Sequence, residues 1–198
     1  MKKILKKIQF IILLLALFML LASCGTEKCY KTSYAMGAMV SQTLYGKSAE
    51  EAAIVAEKQI SLLDSKISYR DINSTVFKLN SEGSALLDEE LFNLLDMSLK
   101  LSSFCPKAYD ITLLPVIKAW GFDTESPFYP DEDLQKAALL SVGYKNIVCD
   151  KKNVTLKNGA SIDFSACGKG AACATAVLQY KNHLLDGGIV SVGGSIGV

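Results

Sequence analysis

The chain has 198 residues, half of them hydrophobic and 21% charged, with a formal net charge of +1. So even a balance, with part of the basic excess confined to the first seven residues, leaves no nucleic-acid footprint, and the roughly 170 residues beyond the amino-terminal segment suffice for one domain with its own core. Cys24, Cys29, Cys105, Cys149, Cys167 and Cys173 include no Cys-x-x-Cys pair and have no His close by in sequence, which argues against a zinc site or a thioredoxin-type dithiol.

The amino terminus reads as an export signal. Lys2, Lys3, Lys6 and Lys7 precede an apolar run from Phe10 to Leu21, short for a bilayer span, and small residues lead into Cys24. Leu21-Ala22-Ser23-Cys24 resembles a bacterial lipobox, which implies a signal peptide over 1–23, diacylglycerol on Cys24 and a domain held outside the cytoplasm at the membrane. An uncleaved anchor or an ordinary signal places the domain on the same side. Residues 24–32 are then the lipidated Cys and a short polar tether, and 33–198 the folded domain.

Tyr34 to Leu44 alternates like a strand that ends at Gly46. Ser48-Ala49-Glu50-Glu51 supplies a capping box for a helix to about Ile67, with Ala52, Val55, Ile60 and Leu63 on one face. Asp88, followed by Glu89 and Glu90, opens a helix striped with Leu91, Leu94, Leu95, Leu99 and Leu101, and Pro106 stops it. Asp131 caps a third helix running to Leu140. Two short strands, near Asn146 to Cys149 and Asn153 to Leu156, flank the turn Asp150-Lys151-Lys152. Asn158-Gly159 turns into a strand from Ala160 to Phe164, a last helix follows from about Lys169 to Leu185, and Ile189 to Val192 reads as a buried strand. The alternation predicts a single α/β (α+β) domain without internal repeats. The closing Gly193-Gly194-Ser195-Ile196-Gly197-Val198 reads as the opening of another element, so the chain is expected to be the amino-terminal part of something longer.

The most informative chemistry lies at Ser161-Ile162-Asp163-Phe164-Ser165-Ala166-Cys167-Gly168-Lys169-Gly170, an apolar segment that meets an Asp and then Gly-Lys-Gly at a helix start. Glycine permits close approach of a ligand, helix N–H groups favour negative charge and Lys169 adds a cation, so the segment suits a phosphate. The Walker pattern is absent, and Gly-Lys-Gly also closes ordinary turns. Asp110, set in Tyr109-Asp110-Ile111-Thr112, needs partners among its apolar neighbours; it either accepts hydrogen bonds from a ligand or caps the turn before Thr112. Asp163 has the same two readings with Ser165. Met36 is either a ligand contact or core, and Tyr69 a ligand contact or a surface aromatic. Trp120 reads as a packing residue and His183 as a solvent-facing helix residue.

Four separated motifs occur in order: Tyr34-Ala35-Met36-Gly37; Ile67-Ser68-Tyr69-Arg70 with Ser74 and Leu79-Asn80; Ala108-Tyr109-Asp110-Ile111-Thr112 with Pro115 and Trp120-Gly121-Phe122; and Ile162-Asp163 with Ala166, Lys169 and Gly170. Through them the whole stretch beyond the signal resembles the FAD:protein FMN transferase family, the ApbE-like flavin transferases. The resemblance implies a thioesterase-like transferase fold with FAD lying between the sheet and the Asp163 to Lys169 turn. It implies transfer of FMN from FAD to a Thr or Ser hydroxyl of an exported acceptor, a subunit of a membrane electron-transfer complex, with release of AMP and dependence on Mg²⁺. By the same resemblance Met36, Tyr69, Ala108, Tyr109, Asp110, Asp163 and Lys169 bind FAD, Lys169 contacts its phosphates, and the backbone carbonyl of Ala166 ligates Mg²⁺. The remaining metal ligands fall in a section this sequence does not contain. The chain departs from the pattern at Ala38, where Thr is usual, and at Ala171 and Ala174, where an aromatic and an Asp are usual. A non-catalytic flavin- or nucleotide-binding lipoprotein is the competing reading, and a solute-binding lipoprotein a third for which the chain is short.

Overall fold

A computed structural model describes residues 27–198; the predicted signal segment and Cys24 lie outside the described residues. The domain opens with an antiparallel hairpin, β1 (Lys28–Ala35) and β2 (Ala38–Tyr45), paired in register from Lys28↔Tyr45 to Ala35↔Ala38. Its turn is the dipeptide Met36-Gly37, with φ of +54° and +67°. Two left-handed residues make a type I′ turn, whose twist matches that of the flanking strands. The single strand predicted over Tyr34 to Leu44 is therefore two, and the tether predicted to run to Thr32 gives way to strand at Lys28. Period-two alternation runs unbroken through a two-residue turn, and Met-Gly lacks the Asn or Asp that ordinarily marks one.

Helix α1 (Ala49–Ile67) buries Ala49, Ala52, Ala53, Ala56, Ile60, Leu63 and Ile67, while Val55 is half-buried. The predicted capping box does not form: Ser48 sits at φ −99°, ψ 19° and its side chain makes no capping bond. A side-chain cap needs an extended N-cap residue, and here the close turn at Gly46, whose carbonyl accepts from Ala49 N–H at 3.1 Å, brings the chain in differently. A short helix absent from the sequence reading, α2 (Thr75–Glu82), is capped by Ser74, whose hydroxyl accepts from Phe77 N–H at 2.8 Å. Helices α3 (Glu89–Phe104) and α5 (Glu132–Leu140) have the predicted caps: Asp88 accepts from Leu91 N–H at 2.9 Å and Asp131 from Leu134 N–H at 2.8 Å. A six-residue α4 (Leu114–Ala119) lies between them, and Trp120 beyond it stacks on Phe122 and meets Tyr129 edge-on.

The last helix, α6 (Ser165–Asn182), starts four residues before the predicted Lys169 and stops short of Leu185. Residues 160–164, predicted as a strand, belong to no strand or helix. Strands β6 (Gly187–Val192) and β7 (Ser195–Gly197) complete a four-stranded antiparallel sheet of order β1-β2-β6-β7. A second antiparallel sheet has the order β3-β5-β4, built from β3 (Ser84–Leu86), β4 (Ile147–Asp150) and β5 (Asn153–Leu156).

Helices α1 and α6 pack on each other and on one face of the larger sheet, with Val40, Leu44, Ile60, Leu63, Phe164, Val190 and Val192 at the centre of the core. A buried polar chain ties the layers together. Tyr180 Oη donates to Gln42 Oε1 at 2.8 Å, and Gln42 Nε2 donates to the Ala53 carbonyl at 3.1 Å. Gln42 is fully buried, and both ends of its amide are satisfied, as a polar group in such a place requires. The five described cysteines are all free thiols. Among the described residues no helix is long and apolar enough to cross a membrane.

Candidate functional site

At the Met36-Gly37 end of the hairpin, three segments enclose a cleft of about 320 Å³. The hairpin turn contributes Met36 and Gly37; the end of α1 and the loop after it contribute Asp64, Ser68, Tyr69 and Arg70; the start of α6 contributes Asp163, Ser165, Gly168 and Lys169. Four predicted site residues, Met36, Tyr69, Asp163 and Lys169, thus share one cavity although they are spread over more than 130 positions of sequence.

Backbone hydrogen bonds from distant side chains place these segments. Asn80 Nδ2 donates to the Ile162 carbonyl at 2.9 Å and Ile162 N–H donates to Asn80 Oδ1 at 2.8 Å, so one amide stands in for the missing strand partner of residues 160–164. The next residue, Asp163, is buried; its N–H donates to the Ile111 carbonyl at 3.0 Å. Asp163 Oδ1 accepts from Ser165 N–H at 2.9 Å and Oδ2 from the Ser165 hydroxyl, an Asx turn that launches α6. Gly168 packs so closely on α1 that a Cβ there would lie 2.8 Å from Ile67 Cδ1. The Gly-Lys-Gly segment is therefore helix, and Lys169 projects from the second turn with its stem beside the Gly193 turn between β6 and β7.

The cleft carries two carboxylates and two cations; Asp64 is taken up by Met36 N–H and Asp163 by Ser165, which leaves the cations as the charged groups open to an anionic ligand with a flat apolar part. Arg70 and Lys169 contribute two cations, and neither takes part in a salt bridge among the described residues. The α6 amino terminus adds its partial positive charge. Tyr69 offers a ring, with the Arg70 guanidinium 4.7 Å from its centroid. Burial raises the Tyr69 phenol pKa, partly offset by the Arg70 charge, so the hydroxyl stays a donor at neutral pH. Met36, half-buried against the core, adds a polarizable side chain to the lining.

Four predicted site residues do not line this cleft. Ala108 is exposed in the turn after α3, where its N–H and that of Tyr109 donate to the Cys105 carbonyl at 2.9 and 3.0 Å. Tyr109 Oη donates to Cys167 Sγ at 3.7 Å, and burial pushes its phenol up to about 12. Asp110 accepts from Thr112 N–H at 2.9 Å, from Thr112 Oγ1 at 2.6 Å and from Tyr144 N–H at 3.0 Å, while Thr112 Oγ1 accepts from Gly143 N–H at 2.7 Å. The Asp110 carboxylate thus pins the 110–112 loop to the 143–144 turn. Ala166 lies in the first turn of α6, where a helical carbonyl points along the axis.

Asp64 and Arg70 line the cleft without a sequence signal that marks them as site residues. Asp64 stands on α1 between two core residues, Leu63 and Ile67, and a lone carboxylate on a helix reads as ordinary surface. Arg70 gave a weak signal, an arginine next to a tyrosine in a short loop.

The sequence profile of the ApbE family matches residues 36–198. The chain belongs to the ApbE family. It is 26% identical over 200 residues to a FAD:protein FMN transferase of Treponema pallidum (strain Nichols), an alignment covering 88% of this chain and 53% of that relative. It resembles in fold the apo flavinyl transferase ApbE of Pseudomonas stutzeri (TM-score 0.81, 19% identity, 88% of this chain and 58% of that one). It also resembles the ApbE protein of Thermotoga maritima (TM-score 0.76, 23% identity, 86% and 58%). The chain thus spans between half and three fifths of the length of these ApbE relatives. The shared fold is the α/β architecture predicted from the sequence.

The described residues do not by themselves fit a Mg²⁺ site. No group of three or more His, Cys, Asp and Glu side chains among them is placed to hold a metal, and one helical carbonyl at Ala166 falls far short of the near-octahedral oxygen shell that Mg²⁺ requires.

Proposed function

We propose that the cleft binds FAD and that the protein moves the FMN part of it onto a Thr or Ser hydroxyl of an exported acceptor. The observation carrying this reading is the convergence, in one cavity of an ApbE-family fold, of the cations Arg70 and Lys169, without salt-bridge partners among the described residues, with Tyr69 and Met36. An aromatic ring and a thioether suit a heterocycle, and two cations beside a helix start suit a diphosphate.

In the proposed reaction the acceptor hydroxyl oxygen attacks the FMN-side phosphorus and gives up its proton to solvent water, the new P–O bond forms as the bridging P–O bond breaks, and AMP leaves with the bridging oxygen. Lys169 stabilises charge on the phosphates as it shifts toward the leaving group, which accelerates the step to the extent that this contact strengthens in the transition state. Arg70 holds the diphosphate, and Asp163 keeps the α6 terminus, and so Lys169, in place. Dependence on Mg²⁺, with the Ala166 carbonyl as one ligand, rests on the motif resemblance and requires ligands other than those described. Anchoring through a lipid on Cys24, outside the cytoplasm, rests on the lipobox; an acceptor in a membrane electron-transfer complex rests on the resemblance.

The test is FAD binding by the full chain, followed by quenching of flavin fluorescence, together with covalent flavin on an exported acceptor with and without Mg²⁺. Lys169→Ala is expected to weaken binding at least tenfold and to abolish transfer. Binding without transfer would favour a flavin-binding role instead; no saturable binding, or binding indifferent to Lys169→Ala, would overturn the reading.

A further inference from the structure

Two residues that break local rules meet in the cleft. Met36 is a non-glycine residue at φ +54°, a conformation that favours Gly, Asn or Asp. Asp64 lies in the last turn of α1, where the helix dipole disfavours a carboxylate. The two are joined by one hydrogen bond: Met36 N–H donates to Asp64 Oδ2 at 2.7 Å across 28 residues of sequence. Local violations of this kind persist where the surrounding structure enforces them, and they gather at functional sites.

From this geometry we infer that Asp64 is a positioning residue of the cleft. Its carboxylate locks the left-handed Met36-Gly37 turn and so aims the Met36 side chain at whatever the cleft binds. The lever is rigid. Leu63 and Ile67, flanking Asp64 on α1, are buried in the core, and the Ser68 N–H closes the helix end on the Asp64 carbonyl at 3.1 Å. The bond is charge-assisted and among the shorter hydrogen bonds of the cleft, which makes it a stronger tie than a neutral pair. Asp64 forms no salt bridge among the described residues, so no partner cation explains its presence there. The inference rests on the cleft being the FAD site of the preceding section as far as the ligand is concerned; the coupling of Asp64 to the turn stands apart from it.

The experiment compares the full-length wild type with Asp64→Ala and Asp64→Asn, reading hydrogen exchange of the segment Tyr34 to Met39 and the FAD dissociation constant, with a thermal melt to confirm folding. Asn keeps an acceptor oxygen and Ala removes it. Asp64→Ala is expected to speed exchange at the turn and raise the dissociation constant about tenfold, and Asp64→Asn to stay within about threefold of wild type. Unchanged exchange in a folded Asp64→Ala protein would overturn the inference, as would faster exchange with unchanged affinity, or an Asn variant as impaired as Ala. If the wild type itself fails to bind FAD, the functional reading fails, and the exchange data alone decide whether Asp64 sets the turn.

Discussion

Asn80 and Ile162 are 82 positions apart and exchange two hydrogen bonds, the Asn80 amide donating to the Ile162 carbonyl at 2.9 Å and accepting from its N–H at 2.8 Å. This pairing copies one rung of a β-ladder with a side chain, and it sets the position of Asp163 and the start of α6. Asn80→Ala removes both bonds and leaves two backbone groups unpaired, so it is expected to cost about 2–3 kcal/mol. Asn80→Asp keeps the acceptor for Ile162 N–H but sets a carboxylate against the Ile162 carbonyl, and should recover little of the loss. Urea unfolding midpoints measure both; an Asn80→Ala midpoint equal to wild type would show that the pairing does not support the fold.

The Met36-Gly37 turn predicts opposite signs for stability and binding. Met36→Asn places the residue preferred in a type I′ turn at φ +54°, and should stabilise the protein by about 0.5–1 kcal/mol. The same change removes the thioether from the cleft and should weaken FAD binding. A melt and a titration on one sample decide it, and a variant that gains in both would remove Met36 from the ligand contacts.

Gly193 marks a second point where a side chain is excluded. Its φ is +59°, and an added Cβ would sit 2.7 Å from the Ala38 Cβ and 3.4 Å from the Lys169 Cε. Neither the backbone nor the Ala38 methyl can rotate away, so Gly193→Ala should destabilise by about 2–3 kcal/mol, combining backbone strain with overpacking. Because the same turn backs the Lys169 stem, FAD affinity should fall as well. Wild-type stability in this variant would mean that the β6–β7 turn is looser than described.

Alkaline pH should destabilise the protein through half-buried Tyr109 and buried Tyr180. Burial pushes Tyr109 from its ordinary 10.0 up to about 12 and raises Tyr180 further still. Above pH 10 the unfolded chain releases these phenolic protons while the folded chain holds them. The stability they contribute is therefore fully present below pH 10 and is lost as pH rises through the folded values. Each phenol adds at most about 1.4 kcal/mol per pH unit to that slope. Tyr109→Phe should flatten it by one proton in stability curves between pH 9 and 12; an unchanged slope would contradict the burial of that hydroxyl.

Local chemistry was legible in the sequence wherever a few neighbouring residues suffice. Asp88 and Asp131 announce the starts of α3 and α5 because a cap reaches only three residues ahead, and the apolar spacing of α1 already assigns Ile60 and Leu63 to its buried face. The four motifs place the chain in its family without reference to contacts, since order and residue type carry that information. Where two local signals conflict or one is silent, tertiary structure decided. Ser48 lacks its capping bond because the turn at Gly46 feeds the helix, and Met36-Gly37 turns without the usual turn residue because Asp64, from another element, holds it. Residues 160–164 carry strand-like apolarity yet join no sheet, because Asn80 satisfies the Ile162 backbone first. The cleft belongs to the same class. Its residue types were readable one by one, but that Arg70 and Asp64 enter it while Asp110 binds Thr112 and Tyr144 depends on contacts between distant segments, such as Asn80 with Ile162 and Ile67 with Gly168. Sequence determines propensities within the reach of a helical turn; the pairing of groups separated by many turns is settled only when packing the core brings them together.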